Sequence, residues 1–121
     1  MRLTYHQATG ELEGLPDGTV TGYSGHPPSK NDPDAQESPS QGPIPRGFWL
    51  VGAAEDSPHM GPLAIALSPA PGTQTFGRSG FFVHGDSMTN PGFASHGCII
   101  LPRGAREAIV ANGVTEIEVV E

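Results

Sequence analysis

The chain has 121 residues, enough for one domain around one modest core. Its net charge is −7 and its six basic residues are scattered, which excludes a patch for neutralising nucleic-acid phosphates. No segment approaches the ~20 apolar residues of a membrane-spanning helix, and one cysteine rules out an internal disulfide.

Taken in chain order, the elements read as a loop-rich β protein, with 17 glycines and 13 prolines punctuating short apolar runs. Leu3 and Tyr5 alternate with Arg2, Thr4 and His6, Ala8-Thr9-Gly10 is a turn, and Glu11 to Leu15 returns, predicting an N-terminal hairpin. No apolar core of a signal peptide interrupts this start, so the expectation is a protein made in the cytoplasm without a classical signal peptide. Val20 to Ser24 is a third short strand. Residues 25–43, rich in Pro, Asp, Ser and Gly, have almost nothing to bury and predict a long exposed loop. A loop of that length is either a plain solvated connection or the border of a substrate groove.

Phe48 to Val51 is a β-rich apolar run, Leu63, Ile65 and Leu67 alternate with small residues, and Gly80 to His84 and Gly97 to Leu101 are further strands. One helix is predicted, with Pro102 at its start, Ala105, Ala108 and Ile109 on its apolar face and Asn112-Gly113 as its stop. Thr115 to Val120 alternates as a half-buried last strand. No repeat or linker divides the chain, so residues 1–121 are expected to form a single, mainly β domain with one short C-terminal helix.

The chemistry concentrates in Ser95-His96-Gly97-Cys98 and in the histidine that ends the Phe81-Phe82-Val83-His84 run. A lone cysteine and a histidine from another strand are the minimum for thiolate acyl transfer. Cys98 is the candidate nucleophile and His84 the candidate base, oriented by a backbone carbonyl near Gly85 or by the Asp86 carboxylate. Gly97 leaves the approach to Cys98 open and bends the chain, so that N–H groups of residues 96–98 can meet an oxyanion. Ser95 is a turn residue or a hydrogen-bonding member of the site. His96, two residues before Cys98 on an assumed strand, shares its face and is the weaker candidate base. Cys98 is expected to be hyper-reactive through a pKa lowered beside His84. His6, His26 and His59 have no partners in view and read as surface residues. The rival chemistry is a zinc site built from His84, Asp86, His96 and Cys98, against which the close spacing argues.

These residues resemble the catalytic motif of the L,D-transpeptidase (YkuD-like) family: an upstream histidine, then Ser-His-Gly-Cys and an apolar residue, here His84 and Ser95 to Ile99. The resemblance covers residues 42–121 closely and the N-terminal third more loosely. Two departures stand out: the histidine and cysteine are closer in sequence than in ordinary wall cross-linking enzymes, and Ile100 stands where Arg or Asn is frequent. The short spacing, with Tyr23-Ser24-Gly25 and Gly42-Pro43-Ile44-Pro45, is more similar to the type VI secretion L,D-transpeptidase effectors. The resemblance implies an L,D-transpeptidase-like β-sandwich whose Cys98 attacks the diaminopimelate carbonyl of a peptidoglycan stem, with His84 as base and Gly97 and Cys98 N–H groups holding the oxyanion. It implies removal or exchange of the terminal D-alanine, an antibacterial role in a competitor's periplasm, an immunity protein and a secretion apparatus as partners, and no cofactor or metal. Arg103 or Arg78 would meet the stem's terminal carboxylate, and Gly85 and Asp86 join Arg103 as substrate-binding candidates. A housekeeping or phage-borne enzyme forming 3–3 cross-links and a non-catalytic wall-binding module are the alternatives.

Overall fold

A computed structural model describes all of residues 1–121. The alternation of Leu3 and Tyr5 forms strand β1 (Arg2–His6), whose two large side chains are fully buried. A turn carries the chain back as β2 (Glu11–Glu13), antiparallel to β1 with Tyr5 opposite Leu12. The third predicted strand is two strands. Gly22 divides β3 (Val20–Thr21), which pairs with β2, from β4 (Tyr23–Ser24), which pairs with a strand near the cysteine. A Cβ on Gly22 would lie 1.8 Å from the Ile100 carbonyl oxygen, so only glycine passes there without moving backbone.

The remaining strands are β5 (Gly47–Ser57), β6 (Gly61–Pro69), β7 (Phe82–His84), β8 (Ile99–Ile100) and β9 (Glu116–Val120). β5 runs well past the predicted Val51, because its far half pairs with β6 as a projecting hairpin closed by the Ser57 hydroxyl. β8 is shorter than predicted: residues 95–98 are bent, and the strand starts only at Ile99. All nine strands form one sheet in the order β3-β2-β1-β9-β5-β6-β7-β8-β4. Since β3 and β4 are its two ends yet neighbours across Gly22, the sheet must curl until its edges meet. The architecture is therefore a mainly β, barrel- or sandwich-like sheet.

The predicted helix is α1 (Arg103–Ala111), turning Ala105 and Ile109 into the core. The core gathers Leu3, Tyr5, Leu12, Ile65, Val83, Ile99 and Ile117 around Trp49. Trp49 packs edge-on against Phe81, centroids 4.8 Å apart, and donates its indole N–H to the Pro45 carbonyl. This buried aromatic pair fixes the chain just before β7 and so sets the strand that carries His84.

Candidate active site

β7 and β8 run parallel, with Val83 opposite Ile99 and His84 opposite Ile100. Val83 and Ile99 are fully buried in the core, so the alternation of both strands turns His84 and Ile100 to the other face. Cys98 lies in the bend just before β8, level with Phe82 of β7, whose backbone N–H points at the thiol. The open sides of Cys98 and His84 differ. Cys98 lines a cleft of about 340 Å³ with Arg78, Phe81, His96 and Gly97, whereas His84 lines one of about 720 Å³ with Gly85, Asp86 and Arg106. The thiol itself reaches the Gly80 carbonyl, Sγ to O 3.7 Å.

His84 is oriented by the first of the two expected partners. Its Nδ1 is 2.8 Å from the Gly85 carbonyl oxygen, which makes Nδ1 the protonated nitrogen and leaves Nε2 as an acceptor. Burial lowers its pKa below the usual histidine range; the bond to Gly85 opposes this, the Arg106 charge adds to it, and the Asp86 charge opposes it. Asp86 does not bond the imidazole. It accepts from the Tyr23 hydroxyl at 2.5 Å and from the Ser87 and Gly92 amides, organising the loop between the two motif segments. That same bond, added to burial, pushes the Tyr23 phenol up to about 12.

The expectation of a lowered thiol pKa is reversed. Burial pushes the Cys98 thiol up, and the Phe82 N–H and the Arg78 guanidinium only partly offset it. In this resting arrangement the site holds a neutral thiol and a neutral imidazole.

The bend before Cys98 is stitched by two fully buried serines. Ser95 Oγ accepts from the Gly25 and Gly97 amides and donates to the Cys98 carbonyl at 2.6 Å. Ser24 Oγ donates to the Gly97 carbonyl and accepts from the Ile44 amide. Ser95 is therefore a positioning residue. The Gly97 amide, expected in the oxyanion hole, is already committed to Ser95, whereas the His96 and Cys98 amides have no partner in the protein. Gly97 has φ +139°, and a Cβ there would sit 2.5 Å from Arg78 Nη2 and 3.0 Å from Phe81. Glycine is required by the backbone and by that packing.

His96 does not share a strand face with Cys98, because the bend at Gly97 breaks the alternation. Its ring stacks on His26, centroids 4.6 Å apart, and its Nδ1 meets the Ser40 carbonyl at 3.0 Å. His26 is thus no free surface residue but part of the seam holding the long loop, and His6 pairs with Glu13 at 2.5 Å. Residues 25–43 border the thiol cleft through Pro39 and Ser40, the groove-bordering alternative. Arg78 fastens this loop by donating to the carbonyls of Gln36, Gly42, Pro43 and His96.

A family model, the Tlde1 domain, matches residues 18–120, a span that contains this bend and the histidine-bearing strand. The chain belongs to the Tlde1 family. These are type VI secretion effectors of the L,D-transpeptidase kind. No curated protein matches the chain. The match reaches back to residue 18, so most of the N-terminal third belongs to the Tlde1 domain as well.

Within this Tlde1 domain the four suggested zinc ligands do not converge, and no group of three His, Cys, Asp or Glu side chains does. Arg103 is exposed, pairs with Glu107 at 3.3 Å and lines a third cleft, which lacks the thiol and the imidazole but shares Asp86 and Arg106 with the His84 cleft. The cation beside His84 is Arg106. No motif in the sequence marks it, although its place beside Ala105 and three before Ile109 puts it on the buried side of α1.

Proposed function

We propose that this Tlde1 domain is a cysteine-dependent L,D-carboxypeptidase and exchange enzyme acting on peptidoglycan tetrapeptide stems, and an antibacterial effector in a target cell's periplasm. The observation that supports the reading is the parallel pairing of β7 and β8, which brings the bend bearing Cys98 alongside the strand that ends in His84, with Nε2 of His84 left unprotonated by the Nδ1 bond to Gly85.

In acylation the thiol leaves the Gly80 carbonyl by rotation about χ1 and turns toward His84. Nε2 takes its proton while Sγ bonds to the diaminopimelate carbonyl carbon. The C–N bond to D-alanine then breaks, and the proton passes from His84 to the leaving amine. The Cys98 amide stabilises the oxyanion. Water, activated by His84, cleaves the thioester to give a tripeptide; a D-amino acid amine in its place gives an exchanged tetrapeptide.

Mass spectrometry of disaccharide-tetrapeptide incubated with wild type, Cys98→Ala and His84→Ala tests this. Loss of D-alanine is expected with wild type alone, and incorporation of an added D-amino acid should follow the same pattern. Turnover by Cys98→Ala would overturn the nucleophile assignment. An unchanged substrate with wild type, with and without D-amino acid, would favour a wall-binding module.

A further inference from the structure

α1 delivers one guanidinium into the interior. Arg106 is only 7% exposed, and its charge has no carboxylate partner. Nε donates to the Leu101 carbonyl at 3.2 Å, and Nη1 to the Pro62 and Leu63 carbonyls at 2.7 and 3.2 Å. Nη2 makes no hydrogen bond. It lies against Gly85, where a side chain would stand 2.8 Å from it, and Arg106 lines the larger cleft with His84. The one carboxylate of that cleft, Asp86, spends its oxygens on Tyr23, Ser87 and Gly92 instead. A buried cation held only by carbonyls, with one donor open to a cleft, is an incomplete ion pair. The group that completes it is a carboxylate, and its position beside the base defines which one.

We propose that Arg106 Nη2 binds the α-carboxylate of the D-amino acid whose nitrogen faces His84, giving the enzyme its specificity for stems that end in a free carboxylate. The inference rests on the reading of Cys98 and His84 as nucleophile and base. The departing D-alanine and an incoming D-amino acid are the same kind of molecule crossing the same transition state in opposite directions. Both present an amine to Nε2 and a carboxylate one carbon away. One carboxylate anchor therefore serves trimming and exchange alike, and Gly85 lacks a side chain so that Nη2 stays open.

The test compares a tetrapeptide stem ending in D-alanine with the same stem ending in D-alaninamide. Wild type should prefer the acid by about tenfold to a hundredfold in kcat/KM, the range of a buried charge-assisted hydrogen bond. Arg106→Gln should bring the ratio near one while still cleaving the amide, a change that mere loosening of α1 would not produce. Gly85→Ala, whose methyl crowds Nη2 without removing the charge, should reduce the ratio too and decides the matter if Arg106→Gln does not fold. An unchanged ratio in the folded variants, or no preference in wild type, would overturn the assignment. If wild type cleaves neither stem, the activity reading fails on its own. Titration of D-alanine against D-alaninamide, followed at the Gly85 amide by NMR, then decides the anchor: carboxylate-dependent shifts lost in the variants support it, and their absence in wild type refutes it.

Discussion

Burial holds the Cys98 thiol above its ordinary range and the His84 imidazole below its own, so proton transfer between them awaits the substrate. Alkylation by iodoacetamide should accordingly be slow at pH 6–7 and rise only as pH passes the ordinary thiol value of 9.0. A fast rate near pH 6 would show a preformed thiolate–imidazolium pair and contradict this. The same groups set the pH profile of turnover. With neutral His84 as the proposed base, the acid limb of kcat/KM should fall below the ordinary histidine value of 6.5, and an acid limb above it would point to another base. Cys98, His84 and the Gly85 carbonyl were legible in the sequence because a lone cysteine, a strand-ending histidine and a following glycine form a local pattern. Arg106, His26 and the Ser24 hydroxyl were not. Their partners lie in distant segments, the Pro62 and Leu63 carbonyls, the His96 ring and the Gly97 carbonyl, and nothing in a linear spacing announces them.

At the scale of elements, the long 25–43 loop is ordered without a core of its own. It hangs on the Arg78 guanidinium, the Ser24 and Ser95 hydroxyls and the His26–His96 stack. Composition alone reads such a segment as solvated, since polar residues that bond remote carbonyls look like polar residues that bond water. Arg78→Ala removes four bonds to carbonyls and the positive charge beside the thiol at once. Hydrogen exchange should then speed up across residues 36–43 and 96–98 with β1 and β9 unaffected, and the alkylation profile should move further to high pH. Uniform protection would deny Arg78 its fastening role. Ser24→Ala leaves the Gly97 carbonyl and Ile44 amide unpaired in the interior and should cost about 2–3 kcal/mol in denaturant unfolding. The strands β1, β6 and β9 and the helix were readable because burial imposes their periodicity directly on the sequence. β3 and β4 were merged because the break between them comes from the backbone of Ile100 crowding Gly22, a contact made from across the sheet.

At the scale of the whole molecule, acid should weaken the fold before it attacks any surface pair. The unfolded chain protonates His84 near 6.5, whereas the folded chain resists until a lower pH. The stability His84 contributes is present above 6.5 and is lost as pH falls through its lowered folded value. Thermal unfolding between pH 7 and pH 5 should show a falling midpoint, reduced in His84→Gln; equal pH dependence in both would assign the loss elsewhere. Gly22 is the structural feature with the widest reach. Thr21 and Tyr23, separated by Gly22 alone, stand at opposite borders of a nine-stranded sheet, so their placement rests on the pairings between, including Arg2 beside Glu116 and Tyr23 beside Ile100. No partly assembled sheet satisfies them, and such distant pairings belong to the slow, millisecond-to-second class of folding. The bend that bears Cys98 is tied to β4 by Ser24 and to Gly25 just after it by Ser95, so opening the closed sheet at Gly22 would release that bend together with the border strand.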